Sequence, residues 1–194
     1  MAAISALVID DNPGDRKLVE QALADASRQA GTTCSVVATG SLGTGLELLR
    51  KGAHRFDVIL LDLGLPDTKG LDGLVSLRGV NSGAPIVILT GHADQLTAME
   101  ALKHGASDYL HKSELQASVL WRAISYAIER KKFESELIEF ANTDPLTGVL
   151  NRRAFFACLS EALEQARRSE LHCAVIVFDI DGFKEINDRH GHHV

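Results

Sequence analysis

The feature that most restricts what this chain can fold into is a series of short apolar runs, each followed by a stretch of helical period. The runs are Ile4 to Ile9, Cys34 to Ala38, Val58 to Leu61, Pro85 to Leu89 and Ser107 to Leu110. Val58 to Leu61 is apolar at every position, which suits a strand covered on both faces rather than one with a wet side. Between the runs lie a helix from Pro13 through Leu18, Val19, Ala22 and Leu23, and one opened by Ser41 that reaches Gly52 through Leu46, Leu48 and Leu49. A short helix near Asp72 to Arg78 follows a loop holding Pro66 and Gly70, and another spans His92 to His104. Pro13 sits in the first helical turn, where its missing N–H does no harm. This alternation predicts an α/β fold with a doubly wound five-stranded parallel sheet, whose ligand site lies outside the carboxyl ends of the strands.

The pattern changes after the fifth run. A fifth helix is expected from near Ser113, with Ser113 and Glu114 as capping residues. Its apolar stripe is Leu115, Val119, Ala123, Ile124, Ala127 and Ile128. The charged run Glu129-Arg130-Lys131-Lys132 contains no Gly or Pro, and Leu137, Ile138 and Ala141 resume the stripe before Asn142-Thr143-Asp144-Pro145 breaks it. One reading is an extended helix that outruns its domain as a stalk; the other is two helices joined near Arg130. The expected division is a domain at 1–128, a helical stalk at 129–141 and a further segment at 142–194. In that segment a turn at Leu146-Thr147-Gly148 precedes a helix from Arg152 to Arg168. A buried strand, Cys173 to Phe178, is expected to end at Asp179-Ile180-Asp181.

Composition removes several classes of function. With 45% hydrophobic residues in 194 and a mean hydropathy of +0.03, the chain has globular proportions. A net charge of −6 with no strongly basic patch or tail argues against a nucleic-acid partner. No apolar run is long enough for a bilayer, and no basic residue precedes the apolar N-terminus, so neither a membrane span nor a secretory signal is expected. Three scattered cysteines, Cys34, Cys158 and Cys173, fit a reducing, cytoplasmic location.

The chemistry concentrates at strand ends. Asp10 and Asp11 close the first run and Asp62 closes the third. Carboxylates brought that close raise one another's pKa unless a cation sits among them, and oxygen ligands with open positions suit Mg²⁺. Thr90 and Lys112 follow the fourth and fifth runs, adding a hydroxyl and an ammonium to the same edge. A carboxylate nucleophile, a divalent cation, a hydroxyl and a fixed cation are what phosphoryl transfer to aspartate requires. Singly, each residue is ordinary: Asp10-Asp11 before Asn12 would serve as a helix cap, and Lys112 as a solvated charge.

Taken with Leu7-Val8-Ile9-Asp10-Asp11-Asn12, Asp57-Val58-Ile59-Leu60-Leu61-Asp62, Ile88-Leu89-Thr90-Gly91 and Tyr109-Leu110-His111-Lys112, these residues resemble a response-regulator receiver domain of two-component signalling. The resemblance covers about Ala3 to Ile128. It implies a flavodoxin-like fold with strand order 2-1-3-4-5. It further implies that Asp62 is the phosphoacceptor, that Asp10, Asp11 and the Gly64 carbonyl complete an Mg²⁺ site with it, and that Thr90 and Lys112 bind phosphoryl oxygens while Tyr109 moves with Thr90. Gly64 and His92 would flank the phosphate. The donor would be a sensor histidine kinase or phosphotransfer protein. The output would be a homodimer formed through the fourth-helix to fifth-helix face and the stalk. Ser113 departs from the family, which usually has proline after the lysine, so a trans bond is expected there.

A second resemblance begins at Asn142-Thr143-Asp144-Pro145-Leu146-Thr147-Gly148-Val149-Leu150-Asn151-Arg152-Arg153 and continues at Phe178-Asp179-Ile180-Asp181-Gly182-Phe183-Lys184-Glu185-Ile186-Asn187-Asp188, with His190-Gly191-His192 after it. These runs are similar to the opening part of a GGDEF domain, the diguanylate cyclase that condenses two GTP molecules into cyclic di-GMP. By resemblance Asp179 is a metal ligand, Phe183 and Lys184 lie near the triphosphate, and Asn187 recognises guanine. His190, His192 and His193 match no standard zinc spacing. No Gly-Gly-Asp-Glu-Phe or Gly-Gly-Glu-Glu-Phe run occurs in the sequence. The expectation is therefore an incomplete α/β GGDEF fragment that makes no cyclic di-GMP and uses GTP only where the domain is complete. Two readings of the whole remain: a truncated form of a receiver-controlled cyclase, or a naturally short receiver that works by dimerisation, partner binding or as a phosphate sink.

Overall fold

A computed structural model describes residues 3–52, 55–80, 83–91, 95–169, 171–182, 184–185, 188 and 191, with backbone alone at 95–98. In chain order the elements are β1 (Ile4–Ile9), α1 (Pro13–Gln29), β2 (Cys34–Thr39), α2 (Leu42–Lys51), β3 (Val58–Asp62), α3 (Asp72–Val80), β4 (Ile86–Thr90), α4 (Gln95–Lys103), β5 (Asp108–His111), α5 (Ala117–Asn142) and α6 (Arg152–Ser169). Among the described residues no helix is long and apolar enough to cross a membrane.

The five strands form one parallel sheet in the order β2-β1-β3-β4-β5. Because side chains alternate across a strand, the sheet divides its apolar residues between two cores. Leu7, Ile9, Ile59, Leu61, Ile86 and Ile88 face one way and pack with Leu42, Leu74, Leu77 and Ala101 from α2, α3 and α4. Ala6, Val8, Val58, Leu60, Val87 and Leu89 face the other, against Val19 and Leu23 of α1 and Leu120 and Ile124 of α5. Each fully buried Leu or Ile contributes roughly 1.5–3 kcal/mol relative to exposure. β3 lies between two strands and beneath both helical layers, which is why all of its residues are buried.

Helix ends are set by local chemistry. The Asn12 side chain accepts from the Gly14 N–H at 2.8 Å and Pro13 opens α1. Ser41 caps α2 through the Thr44 N–H, and Gly52 ends it in the left-handed region at φ 61°, which a Cβ would strain. The fifth helix departs from the sequence expectation. Residues Lys112–Glu114 form a 3-10 turn, and α5 begins only at Ala117. The His111 ring caps that 3-10 turn, its Nδ1 accepting the Ser113 N–H at 3.2 Å, and Ser113 and Glu114 lie inside the turn rather than at the start of α5. The Lys112–Ser113 bond is trans. The charged run at 129–132 does not interrupt α5, which is one helix to Asn142.

The chain forms two compact units, Met1–Leu137 and Ile138–Val194. In the second, the Asn142-to-Arg153 run is a bonded joint. The Asn151 N–H donates to the Asn142 carbonyl at 2.8 Å and the Asp144 N–H to the Val149 carbonyl at 2.8 Å, around a Thr143–Leu150 bridge. Asp144 Oδ1 accepts from the Leu146 N–H, the Thr147 N–H and the Thr147 hydroxyl at 3.1, 2.9 and 2.9 Å. Gly148, at φ 71°, closes the turn in a conformation other residues rarely adopt. Asn151 then caps α6 by accepting the Ala154 N–H at 3.0 Å.

The buried strand expected over Cys173 to Phe178 is not present. Residues 171–180 are irregular and exposed, because no strand among the described residues pairs with them.

Candidate functional site

At the carboxyl edge of the sheet three strand ends bring acidic and basic side chains into one pocket. Asp10 leaves β1 with its N–H still bonded to the Thr39 carbonyl at 3.0 Å, so its position is fixed by β2. Its side chain is fully buried, Oδ1 accepts the Asn12 N–H at 2.9 Å, and Arg16 Nη1 donates to its carbonyl at 2.6 Å. Asp11, next in sequence, is exposed. Asp62 is the last residue of β3, paired in register with Leu89. Its Oδ1 accepts the Gly64 N–H at 3.1 Å.

Lys112 ties the edge together. Arriving from β5, its Nζ donates to Asp62 Oδ2 and to Asp15 Oδ2, each at 2.8 Å. It also lies 2.7 Å from Asp10 Oδ2 as an ion pair. Burial alone would lower the lysine pKa, but hydrogen bonds with Asp10, Asp15 and Asp62 and the charge of Asp62 outweigh it, so the ammonium is held above its usual range. Burial has the larger effect on Asp10. It raises that carboxyl above the ordinary value of 3.8 despite the opposing contacts from Lys112 and the Asn12 N–H.

The pocket has the properties of a cation site. Asp10, Asp11 and Asp62 each offer an oxygen within 4.8 Å of the others. Asp10 Oδ2 is buried and faces the Lys112 ammonium 2.7 Å away. Carboxylates gathered around a single ammonium leave negative charge unbalanced among hard oxygen ligands, which fits a small divalent cation such as Mg²⁺. A Cβ at position 64 would stand 3.3 Å from Asp62 Oδ2, so glycine keeps that side of the carboxylate open.

The other expected residues fall as follows. Thr90 ends β4 opposite His111 and is half-buried, and Tyr109 lies on β5 with its ring partly exposed. Asp179 and Lys184 are exposed, and among the described residues no cluster of three metal-binding side chains includes Asp179. His92, Phe183, Asn187, His190, His192 and His193 lie outside the described residues. The sequence expectations did not include Asp15, whose place in a first helical turn is that of a common capping acid. They also omitted Asp67, whose carboxylate accepts the Leu42 and Gly43 N–H groups at 3.2 and 3.0 Å and fastens the loop after β3 to α2.

Comparison with known proteins gives two family matches. Residues 6–124 match the response regulator receiver domain, and residues 141–194 match the diguanylate cyclase, GGDEF domain. The two-component response regulator ORR24 of Oryza sativa subsp. indica is 30% identical over 132 residues, 67% of this chain and 20% of that protein. The regulatory protein LuxO of Vibrio vulnificus is 42% identical over 72 residues, 37% of this chain and 16% of its own. The matched stretches thus span a fifth or less of these relatives. Among solved structures, a response regulator receiver domain protein from Clostridium thermocellum is 30% identical, with a TM-score of 0.58, 68% of this chain covered and 98% of the other. An adenylate cyclase from Rhodopirellula baltica, 24% identical with a TM-score of 0.57, covers 72% of this chain and 98% of its own and shares the fold.

Proposed function

This chain belongs to the response-regulator receiver family, and on that premise we propose that it is a switch set by phosphorylation of Asp62. The observation that carries the proposal is the Asp62 carboxylate. It lies at the carboxyl end of the central strand, one oxygen on the Gly64 N–H and the other 2.8 Å from the Lys112 ammonium, beside buried Asp10. A phosphohistidine of a sensor histidine kinase or phosphotransfer protein is the donor. A bond forms between phosphorus and an Asp62 carboxylate oxygen as the phosphorus–nitrogen bond breaks, and the imidazole keeps the electron pair and takes a proton. Lys112 and the Thr90 hydroxyl hold the transferred oxygens. Asp10, Asp11, Asp62 and the Gly64 carbonyl would hold Mg²⁺, which supplies charge neutralisation when bound.

The new charge draws Thr90 and Lys112 inward and shifts the face made by α4, β5 and α5, with Tyr109 following Thr90. Moving such a switch from 1:99 to 99:1 takes about 5.5 kcal/mol of preference for the active state. The output is dimerisation through that face and the stalk at 129–141. Tyr126, Phe133 and Leu137 support this: they are 70%, 59% and 68% exposed on one helix at spacings near whole turns. Dimerisation in turn governs a diguanylate cyclase output, since condensing two GTP molecules needs two loaded domains facing each other. The same reading makes this a cytoplasmic protein.

The test is labelling by a small-molecule phosphodonor with Mg²⁺, read by intact-mass spectrometry. Wild type gains one phosphoryl group and Asp62→Asn gains none; persistent labelling of Asp62→Asn overturns the assignment. Light scattering before and after labelling tests the dimer.

A further inference from the structure

Lys112 reaches three carboxylates, and only Asp10 and Asp62 among them stand at strand ends. The third, Asp15, belongs to the first turn of α1, where acidic residues commonly do no more than complement the helix dipole. Here its Oδ2 accepts Lys112 Nζ at 2.8 Å, with the two side chains 27% and 15% exposed. An ammonium has three protons, and carboxylate oxygens at 2.7, 2.8 and 2.8 Å already surround it. A phosphoryl group arriving on Asp62 must therefore take Lys112 from a present partner. Asp10 and Asp62 belong to the cluster that suits a cation, whereas Asp15 does not. Asp15 is thus the partner left to hold the lysine once a cation engages the others.

We propose that Asp15 is a positioning residue that restrains Lys112, competing with the phosphoryl group for the ammonium while its charge strengthens the pull of the pocket on a divalent cation. The inference rests on the phosphoacceptor reading of Asp62. It requires two effects of opposite sign when the charge is removed. Cation binding weakens, because one negative charge fewer faces the metal. Binding of a phosphoryl mimic tightens, because Lys112 is released and one repelling carboxylate is gone.

The experiment uses the full chain and isothermal titration calorimetry, first with Mg²⁺ alone and then with beryllofluoride at saturating Mg²⁺. For Asp15→Asn the Mg²⁺ affinity falls about threefold and the beryllofluoride affinity rises about fivefold, the scale of a partly exposed ion pair. Asp15→Glu, which keeps the charge, stays closer to wild type than Asp15→Asn in both titrations. A purely structural role for Asp15 would weaken both affinities together, and that result, or no change in either, overturns the proposal. If beryllofluoride binds wild type but not Asp62→Asn while Asp15→Asn is silent, the Asp15 inference alone fails. If wild type neither binds beryllofluoride nor accepts phosphate, the phosphoacceptor reading fails and takes this inference with it.

Discussion

Two runs of nearly the same composition end in the same residue and have opposite fates. Val58–Asp62, Val-Ile-Leu-Leu-Asp, is buried throughout between β1 and β4. Residues 175–179, Val-Ile-Val-Phe-Asp, form no strand, with Ile176, Val177 and Phe178 exposed at 86%, 88% and 87%. Local propensity does not separate them. What separates them is partners: β3 has a neighbour on each side and helices over both faces, and no described strand lies beside the later run. Strand formation is thus a property of the pairing, and so is the chemistry of the terminal aspartate. Asp62 is held among Asp10, Gly64 and Lys112, whereas Asp179 ends a run beside which no described strand lies.

The sharpest way to break that comparison is to truncate one side chain and track exchange at the other run. Leu60→Ala removes a fully buried side chain from β3 and costs about 2–5 kcal/mol in denaturant unfolding followed by Trp121, the single tryptophan. Val177→Asp shifts stability by less than about 0.5 kcal/mol. In wild type the amides of 58–62 exchange only on global opening, while those of 175–178 exchange freely. Protection over 175–178 would mean that the run finds a partner in solution, and the contrast between the two runs would fail.

The next effect in size lies within the first unit. Lys112→Met leaves Asp10, Asp15 and Asp62 without their shared cation, so stability falls by about 2–3 kcal/mol, somewhat less than for a fully buried pair. Added Mg²⁺ recovers much of that loss by binding the folded state. Thermal unfolding with and without Mg²⁺ checks both parts; a Lys112→Met protein as stable as wild type without Mg²⁺ would show that the carboxylates do not need the lysine.

The same contrast explains what could be read from the residues alone. Strands buried on two faces announce themselves as unbroken apolar runs, and an acid directly after such a run falls at the sheet's carboxyl edge, so the fold and Asp10, Asp62 and Lys112 were legible. Asp15 was not, because an acid in a first helical turn looks the same whether it serves the dipole or reaches a lysine 97 residues away. The start of α5 differs from the expectation for a similar reason: the His111 ring accepts the Ser113 N–H and opens a 3-10 turn over Lys112–Glu114, a local bond that only the folded geometry reveals. Cys173 to Phe178 failed differently, since its sequence is right for a strand and the fault lies in missing neighbours.

The second unit is ordered where bonding is local, and that too can be tested. Asn151→Ala removes the cap of α6 and the Nδ2 donation to the Ala141 carbonyl, at 2.9 Å. The expected loss is about 1 kcal/mol, read as faster amide exchange over Arg152–Ser169 with no change at β3. Faster unfolding of the sheet or loss of protection at 58–62 would show that the joint's effects are not confined to its own surroundings.

The smallest effect is one of pH, and its sign follows from the same joint. The Thr147 hydroxyl, with the Thr147 and Leu146 N–H groups, holds the Asp144 carboxyl below its ordinary value of 3.8, outweighing a small desolvation cost. A depressed folded pKa means the unfolded joint binds the proton more readily, so the contribution is fully present above the ordinary value and is lost as pH falls through the depressed one. Amide exchange at Leu146 and Thr147, corrected for its intrinsic pH dependence, therefore gains speed below that range in wild type. Asp144→Asn keeps an acceptor but cannot titrate, so its protection stays level across the same range. If both proteins lose protection together, another group governs the joint, and the turn owes its order to Gly148 and the Asn142–Asn151 pairing rather than to the carboxylate.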